Sequence, residues 1–87
     1  MAQVKAFKVD GVRMIFHSGD HEPPHFHARR GSDWSARVFF QRNAAEMFDE
    51  VKPPGAKIRP ADRKTIVEGV EAHRPELLKE WEACQAG

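Results

Sequence analysis

Histidine is concentrated in one short segment of the chain. Four of the five histidines, His17, His21, His25 and His27, lie within eleven consecutive residues. Neutral imidazole binds transition metals and titrates near pH ~6.5, so such a segment can coordinate a metal ion or transfer protons. His25 and His27, joined by His21 or Asp20, are therefore candidate ligands for Zn²⁺ or another divalent transition metal. The sequence suggests no other cofactor.

The histidine segment allows a catalytic interpretation and a non-catalytic one. In a metal-dependent hydrolase or nuclease, the histidines would serve as metal ligands or as general acid and base, and Arg29, Arg30 or Arg37 would stabilise a phosphate. Alternatively, the imidazoles are partly exposed sheet residues that bind metals only adventitiously. The sequence has no Gly-rich phosphate loop, no Ser or Cys nucleophile motif and no second carboxylate cluster. It therefore favours a protein that is not an enzyme, without deciding the question.

The elements that would position the histidines are strands. Apolar side chains alternate with polar ones over residues 1–42, starting with Phe7 and Val9, and this period is typical of half-buried strands. Asp10-Gly11 predicts a two-residue hairpin turn, and Gly31-Ser32-Asp33 predicts a second turn. The expected arrangement is an antiparallel meander of three to five strands.

Alternation also places histidine beside arginine. Residues two apart on a strand share a face, so His25, His27 and Arg29 are expected on one side and Phe26 in the core. The resulting His- and Arg-rich face can meet an acidic protein surface or phosphates. The residues predicted for this partner or nucleic-acid surface are Asp20, His21, Pro23, Pro24, His25, His27, Arg29 and Arg37.

A helix is predicted over residues 60–84. Pro60 suits the first helical turn, Asp62 suits its positive end, and apolar residues up to Trp81 recur at three- and four-residue spacing. Pro75 lies inside this pattern, so the helix is expected to be kinked or broken there.

The segment 43–59 is open to three interpretations: irregular structure, a short helix capped by Asn43, or an edge strand through Phe48. Under each of these interpretations, the predicted strands and helix form an α+β fold in which the C-terminal helix packs on one face of the meander. The chain is expected to form a single domain over residues 1–87.

Size and composition exclude several classes of protein. Eighty-seven residues with 40% hydrophobic and 31% charged residues predict one small folded domain, not a multidomain enzyme. The net charge of +1 is small for a nucleic-acid binder. The single cysteine, Cys84, excludes an internal disulfide and a Cys-based zinc site. Because no apolar run is long enough for a signal peptide or a membrane span, a cytoplasmic protein without a membrane partner is expected.

Two motifs resemble one protein family. The segment Asp20-His21-Glu22-Pro23-Pro24-His25-Phe26-His27-Ala28 resembles the Asp-His-x-Pro-Pro-His-Phe-His-Ala signature of a family of small prokaryotic proteins, the domain of unknown function numbered 4160. Residues 73–82 are similar to the closing helix of that family, with its His-Arg-x-Glu-Leu-Leu-x-x-Trp pattern. Residues 43–57 and Gly69 depart from the family pattern, which usually has a shorter turn and a second helical Trp.

The resemblance implies a binding role. Members of this family are often encoded beside another small domain of unknown function, in gene pairs that look like toxin-antitoxin modules. We therefore expect a binding component of a two-gene module that acts through its His- and Arg-rich face on a small partner protein encoded nearby, and nucleic acid stays open as a second ligand. The alternative is a metal-dependent hydrolase or nuclease that uses His21, His25 and His27. The sequence does not determine the oligomeric state.

Overall fold

The computed structural model describes residues 1–86, which form one antiparallel sheet and one long helix. The five strands lie in the sheet in chain order, each antiparallel to the next. This confirms the predicted α+β meander with a C-terminal helix. The elements are β1 (Ala2–Gln3), β2 (Arg13–Phe16), β3 (Phe26–Arg30), β4 (Trp34–Val38), a short 3₁₀ helix (Ala44–Glu46), β5 (Phe48–Lys52) and α1 (Pro60–Ala86).

The helix α1 covers one face of the sheet, and we call the opposite side the open face. Strand alternation sends every second side chain into the core, including the predicted core residue Phe26, which is fully buried. Trp81 on α1 is also buried, as its spacing predicts. The main core residues are Met14, Phe16, Phe26, Ala28, Trp34, Ala36 and Val38 from the sheet, with Ile66, Val70, Leu77 and Trp81 from α1.

The N-terminal segment leaves the sheet after β1, so the predicted strand through Phe7 and Val9 is wrong. The backbone N–H groups of Lys5 and Ala6 donate to the Glu80 carboxylate of α1, at 2.7 and 2.8 Å. Because a helix side chain satisfies these donors, the chain does not need a strand partner there and turns towards α1.

Phe7 instead packs against α1. Its ring stacks on the His73 imidazole, with 6.0 Å between the ring centroids. A Cβ atom at Gly69 would lie within 3.0 Å of three ring carbons of Phe7, closer than such atoms approach one another. Because Gly69 has no side chain, it leaves room for the Phe7 ring.

Both predicted turns are present. Val9 and Val12 form a bridge around Asp10-Gly11, where Gly11 has a φ of 77°. The Asp33 N–H donates to the carbonyl of Arg30 at 2.9 Å and closes the second turn. Glycine is needed at the first turn because a positive φ is costly for other residues.

The segment 43–59 contains both a short helix and an edge strand. The Asn43 side chain accepts a hydrogen bond from the Glu46 N–H at 3.1 Å and caps the 3₁₀ helix, as the capping interpretation predicts. β5 then pairs with β4 at the edge of the sheet. Its pairing register shifts near Glu50, which has a φ of 49°, so this residue marks a bulge in the edge strand.

The helix α1 is kinked where the sequence predicts it. His73 has non-helical backbone angles, φ −132° and ψ 22°, two residues before Pro75. Proline lacks an N–H and its ring clashes with the preceding turn, which accounts for the kink. Within residues 1–86, no helix is both long and apolar enough to cross a membrane.

Candidate functional site

The loop between β2 and β3 is held by the end of α1. Gln85 bridges it twice: its side-chain oxygen accepts from the Gly19 N–H, and its side-chain nitrogen donates to the His17 carbonyl, both at 2.9 Å. Asp20 follows Gly19 directly and is partly buried. The helix end therefore fixes the backbone that presents the Asp20 carboxylate to the start of β3.

His25 is the most buried histidine of the segment, with 3% of its surface exposed. Its ring lies between Phe39 and Trp81, with centroid distances of 4.9 and 5.5 Å. Its Nδ1 lies 2.9 Å from the carbonyl oxygen of Pro23. A carbonyl only accepts, so Nδ1 is the donor in this bond. The lone pair of neutral His25 is then on Nε2, and this buried atom has no hydrogen-bond partner within the described residues.

Asp20 and His27 complete a group of three around that nitrogen. One oxygen of Asp20, Oδ2, lies 3.4 Å from His25 Nε2 and 3.1 Å from His27 Nε2. The two imidazole rings are 5.2 Å apart. The three potential ligand atoms all lie within 4.8 Å of one another. The fold thus brings together Asp20, His25 and His27.

Burial lowers the pKa of His27, although the hydrogen bond and the charge of Asp20 act in the opposite direction. Desolvation penalises the charged imidazolium, so the neutral ring is favoured. Neutral imidazole is the form that binds metal ions. Burial therefore favours the form of the His27 ring that can bind a metal ion.

The structure separates His21 from this group. His21 and Pro23 are exposed, whereas Pro24 is buried beside His25. Of the two residues that the sequence offered as a third ligand, Asp20 lies within the group and His21 does not. The His17 ring lies next to that of His27, with 4.3 Å between the ring centroids.

A row of basic side chains crosses the open face next to the histidines. Arg13 on β2 is the direct cross-strand partner of Arg29 on β3. Arg29 faces Ser35 on β4, and Ser35 faces Lys52 on β5. No carboxylate among residues 1–86 forms an ion pair with Arg13, Arg29 or Lys52, and all three are exposed. We call Arg13, Arg29, Ser35 and Lys52 the basic row.

The other predicted arginines have protein partners. Arg37 is the cross-strand neighbour of His27 on the open face and pairs with Glu50. Arg30 lies on the helix-facing side and binds Asp62, so it does not contribute to the open face. A groove of about 430 Å³ follows the open face, and its lining includes Arg13, Ile15, His17, His27, Arg29 and Lys52.

Reasoning from the sequence missed several of these residues. Arg13 could have been found, because the alternation on β2 that buries Met14 and Phe16 places it with Ile15 on the opposite face. Lys52 could not, because its place in the row depends on the register of β5 past a bulge. The contact of Trp81 with His25 joins distant parts of the chain and has no local signal.

Comparison with known proteins identifies the family. The family model of the domain of unknown function DUF4160 matches residues 11–82, which include β2 to β5, the histidine segment and most of α1. Neither the curated proteins nor the solved structures contained a match. The chain belongs to the DUF4160 family.

Proposed function

We propose that this protein is a binding module that holds an acidic segment of a small partner polypeptide on its open face. The observation that carries the proposal is the direct pairing of Arg13 with Arg29. Like charges in this position repel each other and destabilise a sheet. Here no carboxylate of residues 1–86 neutralises them. An anionic ligand across the strands would supply the missing charge.

The dimensions of the basic row suit an extended peptide. Neighbouring strands lie about 4.8 Å apart, so a row from β2 to β5 spans roughly 14 Å. Arg13 and Arg29 can each bind a carboxylate through two hydrogen bonds, and Lys52 adds a third charge at the far end. Ile15 provides apolar surface in the same groove.

A polypeptide fits this face better than nucleic acid does. Proteins that bind single strands usually stack bases on exposed aromatic rings. Within residues 1–86, Met1 is the one large hydrophobic side chain that is exposed, and Phe39, which packs against His25, is 6% exposed. The net charge of +1 also gives little long-range attraction to phosphates.

The resemblance noted from the sequence extends this proposal to a two-gene, toxin-antitoxin-like module in the cytoplasm. In such a module the partner would be the small protein encoded next to this one. An acidic segment in that protein would bind the basic row, and the histidines beside it would contribute to recognition.

The proposal is tested by measuring the affinity for the product of the adjacent small gene. The variant R13E/R29E should weaken the complex at least ~10-fold, because two attractive contacts become repulsive. K57E/K64E is the matched control, since it makes the same charge change at exposed residues outside the basic row. The control should change the affinity less than about twofold. Absence of a complex, or equal losses in both variants, would refute the proposal.

A second candidate function is metal-dependent cleavage of a phosphodiester. The observation that favours it is the convergence of Asp20, His25 and His27 beside the basic row, which can orient a phosphate. Cleavage of a labelled oligonucleotide with added Zn²⁺ or Mn²⁺ tests it. An unchanged rate in the variant H25A/H27A would exclude this function.

A further inference from the structure

We propose that Asp20, His25 and His27 bind one divalent transition metal ion and leave a coordination position open towards solvent. The candidate metal-dependent reaction would require this site, but the site does not depend on that reaction. It also shares no residue with the basic row, so the failure of one proposal leaves the other standing.

The strongest support comes from His25. Its Nε2 is buried, carries the lone pair and has no hydrogen-bond donor within the described residues. Oδ2 of Asp20, which lies 3.4 Å from this nitrogen, is also an acceptor. Leaving a buried acceptor unpaired is unfavourable, and placing it against an anion is worse. A cation between the two atoms would satisfy both.

Two of the three distances between the potential ligand atoms suit such an ion, and the third is within 4.8 Å. Tetrahedral Zn²⁺ has bonds of about 2.0–2.1 Å, which place neighbouring ligand atoms roughly 3.4 Å apart. The Asp20 oxygen lies 3.4 Å from His25 Nε2 and 3.1 Å from His27 Nε2. His27 would bind the ion through Nε2 in the neutral tautomer that carries its proton on Nδ1, and the ion would take the place of the hydrogen bond between Nε2 and Asp20.

The surroundings of His25 resemble the supporting shell of a metal ligand. Metal-binding histidines usually donate their second ring N–H to a carbonyl or carboxylate, which fixes the ring and its tautomer. The Pro23 carbonyl has this role for His25. Phe39 and Trp81 hold the same ring from the sides.

The ligand set defines the class of metal. Two imidazoles and one carboxylate suit Zn²⁺ and the divalent ions of iron, cobalt and nickel better than Mg²⁺ or Ca²⁺, which prefer oxygen. Asp20 and His27 are partly exposed, so the remaining position faces solvent beside the open face. A water molecule or an acidic side chain of a partner would bind there.

The test is a Zn²⁺ titration of metal-free protein by calorimetry, with Co²⁺ absorption as a second readout of tetrahedral coordination. One ion per chain is expected. D20N and H27Q should each weaken binding by more than about 10-fold, since each removes one of three ligands and loss of an outer-shell partner alone typically costs about 10- to 100-fold. H21Q is the matched control, because His21 lies in the same loop but outside the group, and its affinity should equal that of the wild type.

H25Q is measured as well, with circular dichroism to check folding, because His25 is packed in the core. D20N and H27Q alter partly exposed residues, so they decide the question even if H25Q does not fold. The proposal is overturned if no stoichiometric Zn²⁺ binds, if D20N and H27Q keep the wild-type affinity, or if H21Q loses binding as they do.

Discussion

Arg30 on β3 binds Asp62 in the first turn of α1 through two parallel hydrogen bonds. The guanidinium Nε and Nη2 donate to the two carboxylate oxygens at 2.7 and 2.8 Å. The Trp34 indole N–H donates to the same carboxylate at 3.2 Å. Asp62 is 5% exposed, so its charge is compensated inside the fold. This contact ties the beginning of the helix to the sheet on which it packs.

Asp62→Asn should therefore reduce the free energy of unfolding by about 1–3 kcal/mol, because an amide NH₂ would replace an acceptor that faces donors. Urea unfolding measures the change. Glu68→Gln removes the same charge at an exposed position of α1 and should cost less than about 0.5 kcal/mol. Similar losses in both variants would contradict the role assigned to the ion pair.

The same contact predicts a dependence on pH. The hydrogen bonds from Arg30, together with the one from Trp34, hold the pKa of Asp62 below its usual range. The folded protein therefore binds a proton at the Asp62 carboxylate less readily than the unfolded chain does. The contribution to stability is present above the usual aspartate pKa of about 3.9 and is lost as the pH falls through the lower folded pKa.

The stability difference between the wild type and Asp62→Asn should accordingly be largest near about pH 6 and shrink below about pH 3.9. Urea midpoints at several pH values measure it. A difference that stays constant to the lowest pH at which the protein folds would argue against a depressed pKa.

Gly69→Ala should destabilise the protein by about 1–3 kcal/mol, because the new methyl group would overlap the Phe7 ring. The sign of this change in stability is informative, since replacing glycine by alanine inside a helix usually stabilises the helix by up to ~1 kcal/mol. In a Phe7→Ala background the overlap is gone, so Gly69→Ala should become neutral or stabilising. Thermal unfolding of the four proteins measures the coupling, and additive effects would show that the two residues are independent.

Glu80→Ala should loosen the N-terminal segment. Without the carboxylate, the N–H groups of Lys5 and Ala6 lose their acceptor, and their hydrogen exchange should accelerate about tenfold. Glu82→Ala is the control, because Glu82 is exposed on the same helix and makes neither contact. Unchanged exchange at Lys5 and Ala6 would mean that another contact holds this segment.

Local signals were enough for most of the fold. Asp10-Gly11 predicted a turn, Pro60 predicted the helix start and Pro75 predicted the kink, because glycine accepts the positive φ of such a turn and proline restricts its own backbone. Phe7 and Val9 misled the prediction of the first strand. Alternation marks side chains that can be buried, but it does not show that the Glu80 carboxylate will satisfy the backbone amides of Lys5 and Ala6 just before them.

The candidate site was predictable only in part. The spacing of His25 and His27 placed the two imidazoles on one side of a strand, and the rings do lie close together. Whether Asp20 or His21 is the third potential metal ligand depends on the conformation of the loop between β2 and β3. Two hydrogen bonds with Gln85, which is distant in the chain, hold that loop.

The sequence by itself determined the order of the strands, the bounds of the helix to within a few residues and the segment that carries the histidines. These properties follow from side-chain period and from the backbone limits of glycine and proline, which act over a few residues. The tertiary structure decided which groups meet: the burial of His25 against Trp81, the pairing of Arg30 with Asp62 and the alignment of Arg13 with Arg29. Such contacts join residues far apart in the chain, and only strand register and helix packing bring them within reach.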